Sequence, residues 1–231
     1  MKFSGKSKRA KTAGANWLSD IILGTQDGLV SILGLILGLA AAADSSRVIL
    51  AGGFATAVSE TISMAAVAYT TKMALRDQFR AGQNQEKDEI KQAPEEETSE
   101  IRAIFISKGF SGELLSSIVS HITADETLWL KTMMTEELKL SNISKKDVVV
   151  GTAVVGVSTL VGSTLPLFSF FFFGKSIALA ISIVTSAIVL GAVGVYKAKV
   201  TTGNPYVSAL TLIGIGLGAA LVGFGIGLIF R

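Results

Sequence analysis

The sequence predicts an all-α, polytopic membrane protein with five transmembrane helices and a helical cytoplasmic insert between the second and third. Three observations predict it. Hydrophobic residues make up 49% of the chain and charged residues only 17%, with a mean hydropathy of +0.55, too apolar for a soluble domain of this length. Apolar runs of the ~20 residues that a helix needs to cross a hydrocarbon core recur along the chain. The charge is also unevenly placed: residues 74–147 hold 14 acidic and 10 basic residues, and the remainder holds 4 acidic and 11 basic.

The elements follow in order. Residues 1–18 form a basic N-terminal arm, MKFSGKSKRAKTAGANWL. The apolar run after it is too long for a signal-peptide core and has no small-residue cleavage site, so a retained first span is expected. Trp17 suits an interfacial anchor. Residues 19–73 hold two spans, Ile21–Ala43 and Val48–Met73, joined by the tight link Asp44, Ser45, Ser46, Arg47. Residues 74–147 form an acidic helical domain. Residues 148–231 hold spans three to five, starting at Val148, Ser176 and Tyr206, with Gly174 and Pro205 punctuating the last two turns. Lysine and arginine near the span ends alternate as five crossings require, which places the N-terminus, the insert and the fourth loop in the cytoplasm and Arg231 on the far side.

Several functions are excluded or disfavoured by what the chain lacks. It has no cysteine, so disulfides, thiolate metal sites and cysteine nucleophiles are out. No phosphate-binding glycine loop indicates ATP drive. The Glu-x-x-His pair of carboxylate di-metal redox enzymes is missing. Neither an enzyme nor a nucleic-acid partner is expected, and no permanently bound cofactor.

Acids inside lipid are the informative residues, since a carboxylate at the bilayer centre costs about 2.5–3.5 kcal/mol on insertion scales and usually marks an ion or proton route. Asp20 sits at the cytoplasmic mouth of span one, and Asp27 lies seven residues further on, nearly on the same helical face. On span two, Glu60 has Met64 one turn away, with Ser59, Thr61 and Ser63 nearby; an acid, a thioether and hydroxyls suit a transition metal. The alternative is that Asp27 bonds Gln26, Thr25 or a neighbouring helix and that Met64 only packs. Gly24 with Gly28, Gly34 with Gly38, Gly214 with Gly218 and Gly223 with Gly227 follow small-xxx-small spacing, which serves intramolecular packing or dimerisation.

Within the insert, Pro94 suits the first turn of a helix whose N-terminus is lined by Glu95, Glu96 and Glu97, and a further helix is expected over TADETLWLKTMMTEELKL, residues 123–140. Glu86 with Glu89, and Glu97 with Glu100, each project from one helical face. Packed together, two such faces leave four like charges unpaired unless a cation lies between them, and Met133, Met134, Glu136 and Glu137 offer further sulfur and oxygen ligands. The alternative is a solvated acidic linker. The lone His121 reads as a surface or packing residue.

The stretches DIILGTQDGLVSILGLILGLAAA and SETISMAAVAY resemble the first two spans of the vacuolar iron transporter family, the vacuolar iron and manganese carriers of yeast and plants with their prokaryotic relatives. The acidic spacing E-x2-E-x7-E-x2-E, then MMTEELKL, then GSTLPLF follow in that family's order. The resemblance implies a five-span homodimer that exchanges cytosolic Fe(II), or Mn(II), for protons along a path at the dimer interface. It makes Asp27 the pathway carboxylate, Met64 the sulfur ligand facing it, and Asp20 a residue of the entrance. Glu86, Glu89, Glu97 and Glu100 become ligands of the cytoplasmic domain, joined by Met133 and Glu137, with Met134 and Glu136 the competing choices in the same segment. Glu60 has no counterpart in the motif and stands on its burial in lipid. The membrane would be the plasma membrane in a prokaryote and the vacuolar membrane in a eukaryote. A membrane-anchored metal sensor or storage protein is the competing class.

Overall fold

The computed structural model describes residues 6–231, with side chains from Trp17 onward. Of the basic arm expected over residues 1–18, residues 1–5 lie outside the described residues, residues 6–18 fall within the first helix, and only Trp17 and Leu18 have described side chains. Every regular element among the described residues is helical: α1 (Lys6–Ala42), α2 (Ser46–Gln92), α3 (Pro94–Ser107), α4 (Gly112–Thr123), α5 (Glu126–Thr132), α6 (Lys145–Thr164), α7 (Ser169–Phe172), α8 (Lys175–Val200) and α9 (Pro205–Ile229), with a π turn at Met133–Glu137 and a 3-10 turn at Leu165–Phe168. Among the described residues, five segments are long and apolar enough to cross a membrane: Trp17–Ala42, Ser46–Gln92, Lys145–Phe172, Lys175–Val200 and Pro205–Ile229. The apolar part of the second ends near Met73, where charged residues begin to recur. The chain is an all-α integral membrane protein.

Contacts divide the chain into two units, Met1–Tyr69 with Val149–Arg231, and Thr70–Val148. In the first, α1 packs against α9 and α8. Glycines make the α1–α9 contact possible. A Cβ on Gly34 would lie 3.1 Å from the Ala219 carbonyl oxygen, one on Gly38 would lie 3.0 Å from that of Gly223, and one on Gly223 or Gly227 would strike the Gly34 or Gly38 carbonyl. Two of the four glycine pairs are thus spent inside the chain on one crossing. Gly214 and Gly218, by contrast, have open space where a Cβ would stand. Away from this crossing, Ile32, Ile36, Ile49, Ala57, Leu167 and Phe170 form an apolar core between α1, α2 and the end of the third span.

The third span, read from sequence as one unbroken run from Val148, is interrupted. Pro166 cannot donate to the carbonyl four residues back, so α6 gives way to a 3-10 turn before α7 resumes. Buried hydroxyls absorb the break: Ser182 Oγ donates to the Pro166 carbonyl at 2.6 Å, and Ser169 Oγ lies 2.9 Å from both the Ala178 carbonyl and Ser182 Oγ. Two other turns are fixed by side chains. Lys175 Nζ donates to the Ala43 carbonyl at 2.9 Å and to Asp44 at 2.8 Å, and Asn204 caps α9 by accepting from the Tyr206 and Val207 amides.

In the second unit, Ile90, Ile101, Leu115, Val119, Ile122, Trp129, Leu130, Met133 and Met134 form the core. As expected, α3 begins at Pro94 with Glu95, Glu96 and Glu97 in its first turn. The expected helix over 123–140 is corrected. Asp125 stops its N-terminal extension by accepting from the Thr127 and Leu128 amides, so α5 starts at Glu126, and after Thr132 the backbone widens into the π turn. Helix α4 was not singled out in the sequence, although Leu115, Val119 and Ile122 are its buried stripe.

Candidate functional site

In the membrane unit, Asp27 of α1 meets Glu60 and Met64 of α2 around one cleft of about 560 Å³, which Thr56, Ser59 and Ser63 also line. The α2 residues recur at three- and four-residue spacing, the period that stacks side chains on one helical face. Glu60 is held rather than free. Ser163 of α6, fully buried, donates its hydroxyl to Glu60 Oε2 at 3.0 Å, and the Ser31 hydroxyl of α1 also hydrogen-bonds Glu60, whose charge feels that of Asp27. A cleft with two carboxylates, a thioether and hydroxyls is a chemically mixed donor set, suited to a divalent ion with some transition-metal character.

Two of the residues singled out in the sequence lie outside the cleft's lining. Thr61 does not face this cleft: its hydroxyl donates to the Ala57 carbonyl of its own helix at 2.7 Å. Asp20 is buried two turns before Asp27 and is not among the cleft's lining residues. Sequence reasoning missed Ser31 and Ser163. The only trace of Ser163 was its place in GSTLPLF.

In the second unit, Glu86 and Glu97 are the buried carboxylates, 2% and 5% exposed, and each has an Oε2 with no hydrogen-bond partner. Burial raises both pKa values to about 7, with the charges of Glu89, Glu100 and Glu137 adding to the effect. Glu137 is raised as well, by burial and then by Glu100, whose carboxyl hydrogen-bonds it. Five carboxylates from α2, α3 and the π turn therefore share one electrostatic neighbourhood. Among the described residues no three acidic or histidine groups are drawn together tightly enough to enclose an ion as they stand.

The remaining candidates divide. Glu136 forms an ion pair with Lys108, so its charge already has a partner, whereas Glu89 accepts from Gln85 at 3.0 Å. Met133 and Met134 both lie in the core, 0% and 3% exposed, and the Met134 methyl reaches to 3.8 Å from where a Gly82 Cβ would stand. The π turn starts at Met133 and ends at Glu137, and such turns re-aim side chains relative to a regular helix. His121 is exposed on α4.

The VIT family profile matches residues 18–228. Vacuolar iron transporter 2 of Oryza sativa subsp. japonica is 28% identical over 207 residues, covering 89% of this chain and 84% of the rice protein. Vacuolar iron transporter 1 of Arabidopsis thaliana is 28% identical over 206 residues, 89% of this chain and 82% of its own. Vacuolar iron transporter of Plasmodium falciparum is 27% identical over 227 residues, covering 93% and 82%. With the profile running over all but the two ends of the chain, the protein belongs to the VIT family.

Proposed function

We propose that this protein is a secondary transporter that carries a divalent metal, Fe(II) or Mn(II), out of the cytosol in exchange for protons. The observation that carries the reading is the cleft: Asp27, Glu60 and Met64 come from two different helices of the membrane unit and line one space. Relatives named as vacuolar iron transporters support metal-ion transport, and speak for a carrier rather than an enzyme. Exchange follows from the cost of an empty, desolvated carboxylate in lipid, which favours either a metal or a proton bound there at all times. The metal is cargo, and the reading needs no resident cofactor.

The insert collects the ion on the cytosolic side. Glu86, Glu89, Glu97, Glu100 and Glu137, with Met133 and Met134 beside them, hold a charge that a divalent cation neutralises; Glu136, paired with Lys108, is the weakest candidate. Asp20 serves the entrance to the membrane path. This reading puts the N-terminus and insert in the cytoplasm and Arg231 opposite, as the basic residues at the span ends require. It also calls for a homodimer. The apolar window of α2 is only 17% buried, the least of the five spans, and Ser59 and Ser63 beside the cleft are exposed, so a second copy covering that face would keep the polar stripe out of lipid.

Sealed vesicles containing the purified chain test the reading. Fe(II) uptake driven by a pH gradient, lost in Asp27→Ala while the insert still binds metal, supports a carrier. Binding without uptake by the unmodified chain supports a membrane-anchored sensor or store instead.

A further inference from the structure

We propose that Ser163, on the third span, is a positioning residue that sets which cations the cleft accepts: by engaging one oxygen of the Glu60 carboxylate, it leaves Glu60 to meet the ion through the other. The inference rests on the transport reading above.

Ser163 is fully buried and its hydroxyl donates to Glu60 Oε2 at 3.0 Å. What brings α6 this close is Gly28, the residue after Asp27. A Cβ there would lie 2.6 Å from Ser163 Oγ and 2.5 Å from the Thr159 carbonyl oxygen, closer than real contacts allow. The step of α1 that places Asp27 at the cleft is therefore the step that admits the third span behind Glu60. Ser31, one turn after Asp27, adds a second hydroxyl to the same carboxylate. Glu60 is thus rooted in α2 and held from α6 through one oxygen before any ion arrives.

A carboxylate held in this way discriminates. Swinging Glu60 to chelate an ion through both oxygens strains or breaks its bond to Ser163, whose own fully buried hydroxyl then loses its partner. Ca(II) builds shells of six to eight oxygens and draws heavily on two-oxygen carboxylates. A smaller transition-metal ion is served by one carboxylate oxygen beside the Met64 thioether. Ser163 thereby favours Fe(II) or Mn(II) over Ca(II) without touching the ion.

The test is anaerobic Fe(II) uptake into vesicles holding the full chain, with Ca(II) as competitor, for the unmodified protein, Ser163→Ala, Ser163→Cys, Glu60→Gln and the Ser163→Ala/Glu60→Gln double variant. Ser163→Cys keeps the buried volume with a much weaker donor, so a folding defect in Ser163→Ala does not remove the test. Both substitutions are expected to raise the apparent KM for Fe(II) about tenfold, the scale of one hydrogen bond to a charged group, with the maximal rate within about twofold. Ca(II) is expected to compete in these variants and not against the unmodified chain. In the Glu60→Gln background, Ser163→Ala is expected to change nothing further. A fall in maximal rate with KM and Ca(II) discrimination unchanged, or effects of Ser163→Ala and Glu60→Gln that simply add, overturns the inference and leaves transport intact. No uptake by the unmodified chain overturns both.

Discussion

Glu97, where it sits, keeps its proton to a higher pH than a free glutamate does, and so does Glu86. Their pKa values, raised to about 7 by burial and by neighbouring carboxylates, mean that the folded insert binds more protons than the unfolded chain between the ordinary value of 4.5 and about 7. Stability contributed in this way is present below 4.5 and is lost as pH rises through about 7. In the metal-free protein, hydrogen exchange in α3, corrected for intrinsic rates, is therefore expected to be faster at about pH 8 than at about pH 5.5. Glu97→Gln should shrink that difference, and added Mn(II) should slow exchange at the higher pH; equal protection at both pH values would contradict it. In the membrane unit, Asp27→Ala is expected to cut Fe(II) uptake about a hundredfold, near 2.7 kcal/mol of lost barrier lowering, measured beside unchanged Fe(II) binding by the insert. Asp27 and Glu60 could be found in the sequence because acids in lipid are expensive and therefore conspicuous, and Met64 because it lies one turn from Glu60. Ser31 and Ser163 could not, because a serine in a span costs little and its partner is set by helix packing.

At the level of elements, the five spans and the start of α3 were readable because length, hydropathy and Pro94 each impose a local rule. The break in the third span was written in Pro166, yet the hydroxyls of Ser169 and Ser182 that make it tolerable come from pairing with α8. The π turn at Met133–Glu137, where two methionines enter the core, left no composition signal. Glycine spacing gave four equivalent pairs, which the fold separates. Gly223→Val is expected to lower the unfolding temperature of the detergent-solubilised protein by several degrees or more, because its side chain meets the Gly34 backbone, which cannot yield, and overpacking costs about 1–3 kcal/mol. Gly218→Val, with open space around it, is expected to shift unfolding by less than about 2 °C. Similar losses at both positions would contradict the assignment of the α1–α9 crossing.

Over the whole molecule, charge and hydropathy divide the same chain into a basic, apolar membrane part and an acidic insert. That division was visible in the sequence, and so was family membership, through motifs that keep their order from span one to span three. Neither revealed that Glu60 would be shared by three helices, because residues 31, 60 and 163 meet only in the fold. The account makes one demand on the intact protein: carboxylates that repel one another or lie in lipid must be compensated in turn by a divalent ion and by protons. Fe(II) uptake into sealed, acid-loaded vesicles measures this most directly, with the internal pH followed at the same time. Uptake accompanied by proton loss from the interior, and abolished when the gradient is collapsed, is the expected result. Vesicles that admit neither Fe(II) nor Mn(II) under either polarity of the gradient, from protein shown to be folded and inserted, would contradict it.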